Sequence, residues 1–233
     1  MDSGKMIAIL QSNYIPWKGY FDLINMVDEF ILYDSAQYTK NDWRNRNRIK
    51  TQSGVNWLSI PIIRSNHLKK INETTVGDNA WAKKHWQTIS QNYARAKYFK
   101  DYKEIFREAY EKLDNPYLSR INYNFIKLVC DILGIETRIS WDTDYRLTQE
   151  GKNEKLIELC QQTGATGYLS GPAAKDYLDP ALFAQEGIRV SFMDYSGYSE
   201  YNQLFPPFEH SVTILDLLFN EGPNAKNYMK SFK

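Results

Sequence analysis

The hydrophobic pattern at the start of the chain is typical of a strand–helix–strand unit. A continuous apolar run over Met6–Leu10 predicts a buried strand, and a second such run over residues 29–33 predicts another. Between them, apolar residues at helical spacing predict a helix over residues 18–27. Units of this kind join parallel strands and place functional loops at the carboxyl ends of those strands.

The middle of the chain has the apolar spacing of helices. This spacing occurs in three segments, residues 81–93, 102–113 and 117–133. Gly134 is a typical C-terminal stop for the third helix. The preceding part differs, because residues 34–50 are polar and irregular, whereas residues 57–62 and 71–76 favour short strands. We therefore expect a mostly helical insertion over about residues 79–134.

The remaining residues alternate again between strands and helices. Strands are predicted over residues 136–141, 167–170 and 188–192. Helices are predicted over residues 153–162, 181–185 and 211–219, the last of them capped by Ser211. Together with the start of the chain, this alternation predicts a single α/β domain over residues 1–233. Its fold is expected to be Rossmann-like, with a mostly parallel sheet and the helical insertion.

The composition is that of a globular protein and excludes several functional classes. Hydrophobic residues make up 42% and charged residues 24% of the 233 residues, which is enough to bury a core. Lys and Arg total 29 and Asp and Glu total 28, so the net charge of +1 argues against nucleic acid as a partner. The apolar runs are too short for a signal peptide or a transmembrane helix. We therefore expect a cytoplasmic protein without a membrane partner.

The loop after the first strand is the first candidate site. Gln11, Ser12 and Asn13 end the strand, and Tyr14 and Trp17 precede the helix. In open α/β sheets, ligands bind at the carboxyl ends of strands, and a helix N-terminus offers free backbone N–H groups to an anion. The loop has neither a dinucleotide fingerprint nor a P-loop. The alternative is that the two rings only cover the edge of the sheet.

A cationic segment over residues 40–50 is the second candidate. It contains five cations and one acid, which gives a local charge of +4. In an extended backbone, the cations at alternating positions share one face. Arg44 and Arg46 can bind phosphate or carboxylate through paired donors. Asn45 can add hydrogen bonds, and Trp43 can stack on a base or a sugar ring. The alternative is a solvated charged face.

Two further candidates lie in the helical insertion and after a late strand. His85, next to Lys84, is a candidate general acid or base near neutral pH, and His67 is another. The alternative is a structural role, which is more common for a lone histidine. Ser170 and Gly171 end a predicted strand at a point where glycine allows close backbone approach to a ligand, although a plain turn has the same pattern.

The cysteines and histidines do not follow a metal-binding pattern. Cys130 and Cys160 lie in apolar helical patterns, so we expect buried thiols rather than a disulfide or a catalytic cysteine. The three histidines lack the spacing of a zinc motif. The sequence therefore predicts no metal site.

The order and spacing of several motifs resemble the WbqC-like family over nearly the whole chain. These motifs are ILQSNYIPWKGYF at residues 9–21, DSAQYTK at 34–40, WRNRN at 43–47, WLSIP at 57–61, WAKKH at 81–85, NY at 92–93, YLSG at 168–171 and TILDLLFNEG at 213–222. Residues 211–213 depart mildly from the expected pattern. The resemblance implies a bacterial protein of O-antigen or other surface-polysaccharide assembly, in which nucleotide-linked sugars, often amino sugars, are modified. It implies a pathway but not a reaction.

The leading hypothesis is a transferase that acylates or aminoacylates the amine of a nucleotide-linked amino sugar. Its diphosphate would be held by the cationic segment, and a base or sugar ring would stack on the aromatic residues of the two loops. His85 or Asp34 would take the proton from the attacking amine. The substrate-binding set is Gln11, Tyr14, Trp17, Gln37, Lys40, Trp43, Arg44, Asn45, Arg46, Lys84, Ser170 and Gly171. The donor, any cofactor and the formation of a homo-oligomer are left open.

Three alternatives belong to other functional classes. The first is a non-catalytic protein of the same pathway that binds a sugar nucleotide or a partner enzyme. The second is a nucleotidyltransferase, which ranks lower because no phosphate loop is present. The third is a nucleic-acid binder, whose affinity would fall steeply with salt.

Overall fold

The computed structural model describes residues 4–63 and 69–232. These residues form seven strands, β1 (Met6–Leu10), β2 (Glu29–Leu32), β3 (Arg46–Thr51), β4 (Gly54–Ser59), β5 (Arg138–Trp141), β6 (Gly167–Ser170) and β7 (Arg189–Phe192). The same residues form seven α-helices, α1 (Lys18–Asn25), α2 (Ala80–Tyr93), α3 (Phe99–Glu111), α4 (Leu118–Leu133), α5 (Lys152–Thr163), α6 (Pro180–Gln185) and α7 (Ile214–Glu221).

Five of the strands form a parallel sheet in the order β5–β2–β1–β6–β7. The order reverses at β1, because the chain first adds β2 and β5 on one side and later adds β6 and β7 on the other. In sheets of this kind, ligands bind outside the carboxyl ends of the strands at the point of reversal, here beside β1 and β6. The α/β fold with a mostly parallel sheet, which the sequence predicted, is confirmed.

Helices pack on both faces of the sheet because its inner strands are apolar on both sides. The larger core contains residues of β1, α1, α4 and α7, among them Phe125 and the free thiol Cys130. The smaller core contains residues of α5 and α6, among them Phe183 and the free thiol Cys160. Both thiols are buried, as predicted. No helix within residues 4–63 or 69–232 has both the length and the apolar character that crossing a membrane requires.

The segment between β2 and β5 contains a hairpin as well as helices. Residues 34–50, predicted to be irregular, include β3, which pairs antiparallel with β4. Asn47 and Ile49 on β3 are buried, whereas Arg48 between them is half-buried. This alternation is that of a strand lying over a core, and in the sequence it is hidden by the density of charged and amide side chains. The hairpin stands beside the loop after β1.

Two local predictions differ from the structure. The strand predicted over residues 71–76 is wrong, because Ile71–Glu73 forms a 3₁₀ turn that local backbone hydrogen bonds close. The last helix begins at Ile214 rather than at Ser211, and Thr213 is its cap. Ser211 is thereby free to contact the hairpin.

Candidate functional site

The loop after β1 is held against β3 by backbone and amide hydrogen bonds. Tyr14 donates its backbone N–H to the Trp43 carbonyl at 3.0 Å. The buried amide of Asn47 donates to the carbonyls of Tyr14 and Ile15 at 3.0 and 2.8 Å. Ile15 has a φ of +37°, which a β-branched residue rarely adopts. Asn47 therefore stabilises a strained turn in this loop.

The segment before α7 closes the other side of the hairpin. The Arg48 guanidinium donates to the Ser211 carbonyl at 3.0 Å and also contacts the Ser211 hydroxyl. The Thr213 N–H donates to the Arg48 carbonyl, and the Ile214 N–H donates to the Pro16 carbonyl, both at 2.9 Å. Three segments that are distant in the sequence therefore meet beside the carboxyl end of β1.

A cavity of about 220 Å³ lies where these segments meet, and it is lined by Asn13, Pro16, Trp17, Trp43, Asn47 and Ser211. Its lining combines two indole rings with amide and hydroxyl groups. Small-molecule sites typically have such walls, in which a few polar groups orient a ligand that apolar surfaces enclose. The cavity is also on the loop where this type of sheet binds ligands.

Two guanidinium groups contact the lining of the cavity. Arg44 donates to the side-chain carbonyl of Asn13 and lies 3.7 Å from the Asp42 carboxylate. Its buried Nε has no hydrogen-bond partner among the described residues, which costs free energy unless an acceptor is bound. Arg48 contacts the lining at Ser211. Together the two arginines can hold an anionic group of a ligand.

Trp17 forms one wall of the cavity and is positioned by close packing. Its ring lies edge-on against Tyr195 and Tyr198, with ring centroids 5.0 and 5.6 Å away. The indole also lies over the first turn of α1, where a Cβ on Gly19 would be 2.4 Å from a ring carbon. Glycine is therefore required here for the close approach of the ring to the helix.

Replacing Gly19 with alanine is expected to displace the Trp17 ring and to lower the free energy of unfolding by about 1–3 kcal/mol, because the added methyl overpacks a rigid contact. Chemical denaturation measures the loss, and near-UV circular dichroism reports the displaced indole. Gly77→Ala is the matched control, because nothing lies within 4 Å of a Cβ at Gly77. Wild-type stability in Gly19→Ala would contradict the close approach.

Lys18 lies next to this wall, and no sequence signal distinguished it from a helical surface lysine. It is only 3% exposed, and its ammonium donates to the Ser199 carbonyl at 3.2 Å and lies 4.8 Å from the Tyr198 ring centroid. Burial lowers the Lys18 pKa from 10.5 to about 8, against the opposing charges of Asp22 and Asp216. An amine with this pKa can exchange protons near neutral pH.

Asp34, one of the two predicted bases, is fully buried after the end of β2. Its carboxylate accepts the Ser12 N–H at 2.8 Å and the Ser119 hydroxyl, while its own N–H donates to Asp142 at 3.2 Å. Burial raises the pKa of both carboxyl groups, and the charge of Asp34 adds to the effect at Asp142. These contacts position the loop after β1. The role of Asp34 as a base stays a prediction.

His85, the other predicted base, is buried on α2 and only 6% exposed. The Tyr14 hydroxyl lies 2.9 Å from its Nδ1 and 2.5 Å from the Tyr110 hydroxyl. Burial lowers the His85 pKa from 6.5 to about 4, against a hydrogen bond to the Ser59 backbone that raises it. The imidazole is therefore neutral at pH 7. The Tyr14 ring is fully buried in the same cluster and lies in the core, and its role in substrate binding stays a prediction.

The other predicted site residues are exposed or engaged in local contacts. Gln37, Lys40 and Lys84 are exposed. Local hydrogen bonds join Gln11 with Tyr20, Asn45 with Ile60, Arg46 with Asn41, and Ser170 with Tyr168. Gly171 follows β6, and a Cβ there would meet open space. His67 lies outside the described residues. Trp17, Trp43 and Arg44 are the predicted residues that the structure brings together at the cavity.

Comparison with known proteins connects this site to a family. The sequence profile of the WbqC-like protein family matches residues 11–228. The chain belongs to the WbqC-like family. An uncharacterized protein of Mycobacterium tuberculosis, Rv1507c, is 47% identical over 227 residues, which cover 97% of this chain and 98% of that protein. No solved structure matches the chain.

The WbqC-like match includes every residue that lines the cavity. Among these residues, Ser211 was predicted from the sequence only as a helix cap. Its partner Arg48 is 163 positions away, and no local pattern connects the two residues. Within residues 4–63 and 69–232, no three His, Cys, Asp or Glu side chains lie where they could together hold a metal ion.

Proposed function

We propose that this WbqC-like protein is a cytoplasmic transferase of bacterial O-antigen or other surface-polysaccharide assembly. Its substrate is a nucleotide-linked amino sugar, and its reaction is the acylation or aminoacylation of the sugar amine. The amine nitrogen forms a bond to the carbonyl carbon of an activated donor, and the bond between that carbon and its leaving group breaks. A base takes the proton from the nitrogen, because an ammonium has no free electron pair.

The cavity beside the two arginines is the observation that carries the proposal. Trp17 and Trp43 offer flat apolar surfaces to the rings of a sugar nucleotide, and Asn13 offers an amide to its hydroxyl groups. Arg44 and Arg48 contact the lining at Asn13 and Ser211 and suit a diphosphate. This combination matches the three chemical parts of a nucleotide-linked sugar.

The proposed reaction needs a proton acceptor, for which three side chains are candidates. The sequence predicts His85 or Asp34, and both are enclosed by hydrogen-bonding partners. Lys18 is the candidate that the structure adds, because it follows Trp17 and burial lowers its pKa to about 8. A pH–rate profile of each substituted protein would assign the base among these three.

Isothermal titration calorimetry with dTDP-, UDP- and GDP-linked sugars tests the binding step. One nucleotide class is expected to bind, and Arg44→Ala is expected to weaken it about tenfold to a hundredfold, because a hydrogen bond to a charged group is lost. Lys127→Ala is the matched control, since Lys127 is an exposed cation of α4 that pairs with Asp131. The absence of binding across the whole panel would show that the proposal is wrong.

The second candidate function is a non-catalytic sugar-nucleotide-binding protein of the same pathway. It is favoured by the burial of the two predicted bases, of which Asp34 is fully buried and His85 is 6% exposed. Polysaccharide production in cells that carry each variant distinguishes the two functions. His85→Gln, Asp34→Asn and Lys18→Gln proteins that fold would support a binding role if all three left production intact, whereas Arg44→Ala would lower production in either case.

A further inference from the structure

Two exposed tryptophans extend the cavity onto the surface of the hairpin. Trp43 and Trp57 are 39% and 42% exposed, and their ring centroids are 5.4 Å apart at an interplanar angle of 38°. Trp43 also lines the cavity, so the pair is continuous with it. Large exposed aromatic surfaces are uncommon on monomeric proteins and mark interaction sites. We call Trp43, Trp57, Arg46 and Arg48 the tryptophan platform.

Two guanidinium groups give the platform a positive charge. The guanidinium carbon of Arg46 lies 4.2 Å from the Trp57 ring centroid, and that of Arg48 lies 5.6 Å from the centroids of both rings. The hairpin register explains the arrangement, because Arg48 is directly opposite Trp57 and strand alternation places Arg46 on the same face. The two indole rings and the two guanidinium groups therefore lie side by side at the opening of the cavity.

The size of the cavity indicates that the platform is part of the same site. Its volume of about 220 Å³ is smaller than the roughly 300–1,000 Å³ of sites that enclose a ligand of drug size. A nucleotide-linked sugar consists of a base, a diphosphate and a sugar, so only part of it fits inside. The rest has to lie on the adjoining surface, and Trp43 connects the cavity to the platform.

We propose that the tryptophan platform binds the nucleobase of the ligand while the cavity takes its sugar. A base can stack on an indole through its flat face, and the carbonyl groups at its edge can accept hydrogen bonds from arginine. A carbohydrate chain or a second copy of the protein could also cover exposed tryptophans. The Arg46 guanidinium beside Trp57 favours the base, whose polar edge it matches. This inference rests on the proposed function, because it divides that ligand between two parts of one site.

Titration of the full chain with two kinds of probe tests the inference. The first kind contains a base, namely UDP, dTDP and GDP, and the second kind lacks one, namely glucose 1-phosphate and pyrophosphate. Trp57→Ala is expected to weaken binding of the nucleoside diphosphates about fivefold to a hundredfold, with base-free probes unchanged. Trp57→Phe should restore part of the loss. Tyr177→Ala, at a ring 51% exposed beside Leu178 of the smaller core, should change neither.

The outcomes separate this inference from the proposed function. If nucleotide-linked sugars bind but Trp57→Ala binds them as tightly as the wild type, the platform does not hold the base, and the proposed function stands. If Trp57→Ala changes only the oligomeric state in light scattering, a second copy covers the platform, and the inference is overturned. If no member of the panel binds to the wild type, the proposed function fails and the inference fails with it. Circular dichroism confirms that each variant is folded.

Discussion

Acidification from pH 7 to pH 4 is expected to remove about 3 kcal/mol of the free energy of unfolding through His85 alone. Burial lowers the pKa of this imidazole from 6.5 to about 4 in the folded chain. The unfolded chain therefore binds a proton first as the pH falls. The stability that the neutral imidazole provides is complete above pH 6.5 and is lost as the pH falls towards 4.

Chemical denaturation of the wild type and of His85→Gln between pH 7 and pH 4 measures this effect. The glutamine does not titrate, so the difference between the two proteins should change by about 3 kcal/mol over the range. The raised pKa values of Asp34 and Asp142 stabilise both proteins as the pH falls, and their effect cancels in the difference. His210→Gln, which removes an exposed histidine, is the matched control for the loss of an imidazole. A constant difference between wild type and His85→Gln would mean that the imidazole is solvated.

Replacing Asp216 on α7 with alanine is expected to lower the free energy of unfolding by about 3–5 kcal/mol. The Asp216 side chain is fully buried and accepts hydrogen bonds from the hydroxyls of Tyr93 and Tyr201 at 2.7 Å and from Gln203 at 2.9 Å. Alanine would leave these three donors without their shared acceptor. For a chain of this length, the loss corresponds to a fall in Tm of roughly 6–20 °C.

Differential scanning calorimetry on two further variants controls for other causes of the loss. Asp216→Asn keeps an oxygen acceptor of the same size, so it should lose clearly less stability than Asp216→Ala. Asp131→Ala removes an exposed carboxylate of α4 that pairs with Lys127, and a surface pair of this kind contributes less than about 1 kcal/mol. Equal losses in Asp216→Ala and Asp131→Ala would show that the buried hydrogen bonds do not determine the effect.

The sequence predicted those parts of the site whose signal is local. Trp17 follows a buried strand and Trp43 precedes a run of cations, and both line the cavity. The positive charge of that run predicted less about the structure than the alternation of its side chains did. Lys50 is only 3% exposed and bonds to the Pro207 carbonyl, so the four cations at alternating positions do not form one open surface. An alternating pattern over β3 indicates which side chains share a face, but not what covers that face.

Burial and long-range contacts could not be predicted from a single sequence. Tyr14 and His85 have side chains that serve equally well in a site or in a polar cluster, and only the packing of α2 against the loop after β1 shows that they lie in the core. The contact between Arg48 and Ser211 depends on how α7 docks, which no local pattern specifies. The strand over residues 71–76 was wrong for a related reason, since alternation there did not outweigh local turn hydrogen bonds.

The contact between Arg48 and Ser211 also determines when the cavity can form during protein synthesis. A ribosome adds roughly 5–20 residues per second, so the 163 positions between these residues take on the order of 10–30 s to translate. During that interval the residues of the hairpin and of the loop after β1 have been synthesised, but Ser211, which lines the cavity, has not. A nascent chain that does not yet include Ser211 is therefore expected to lack one wall of the cavity.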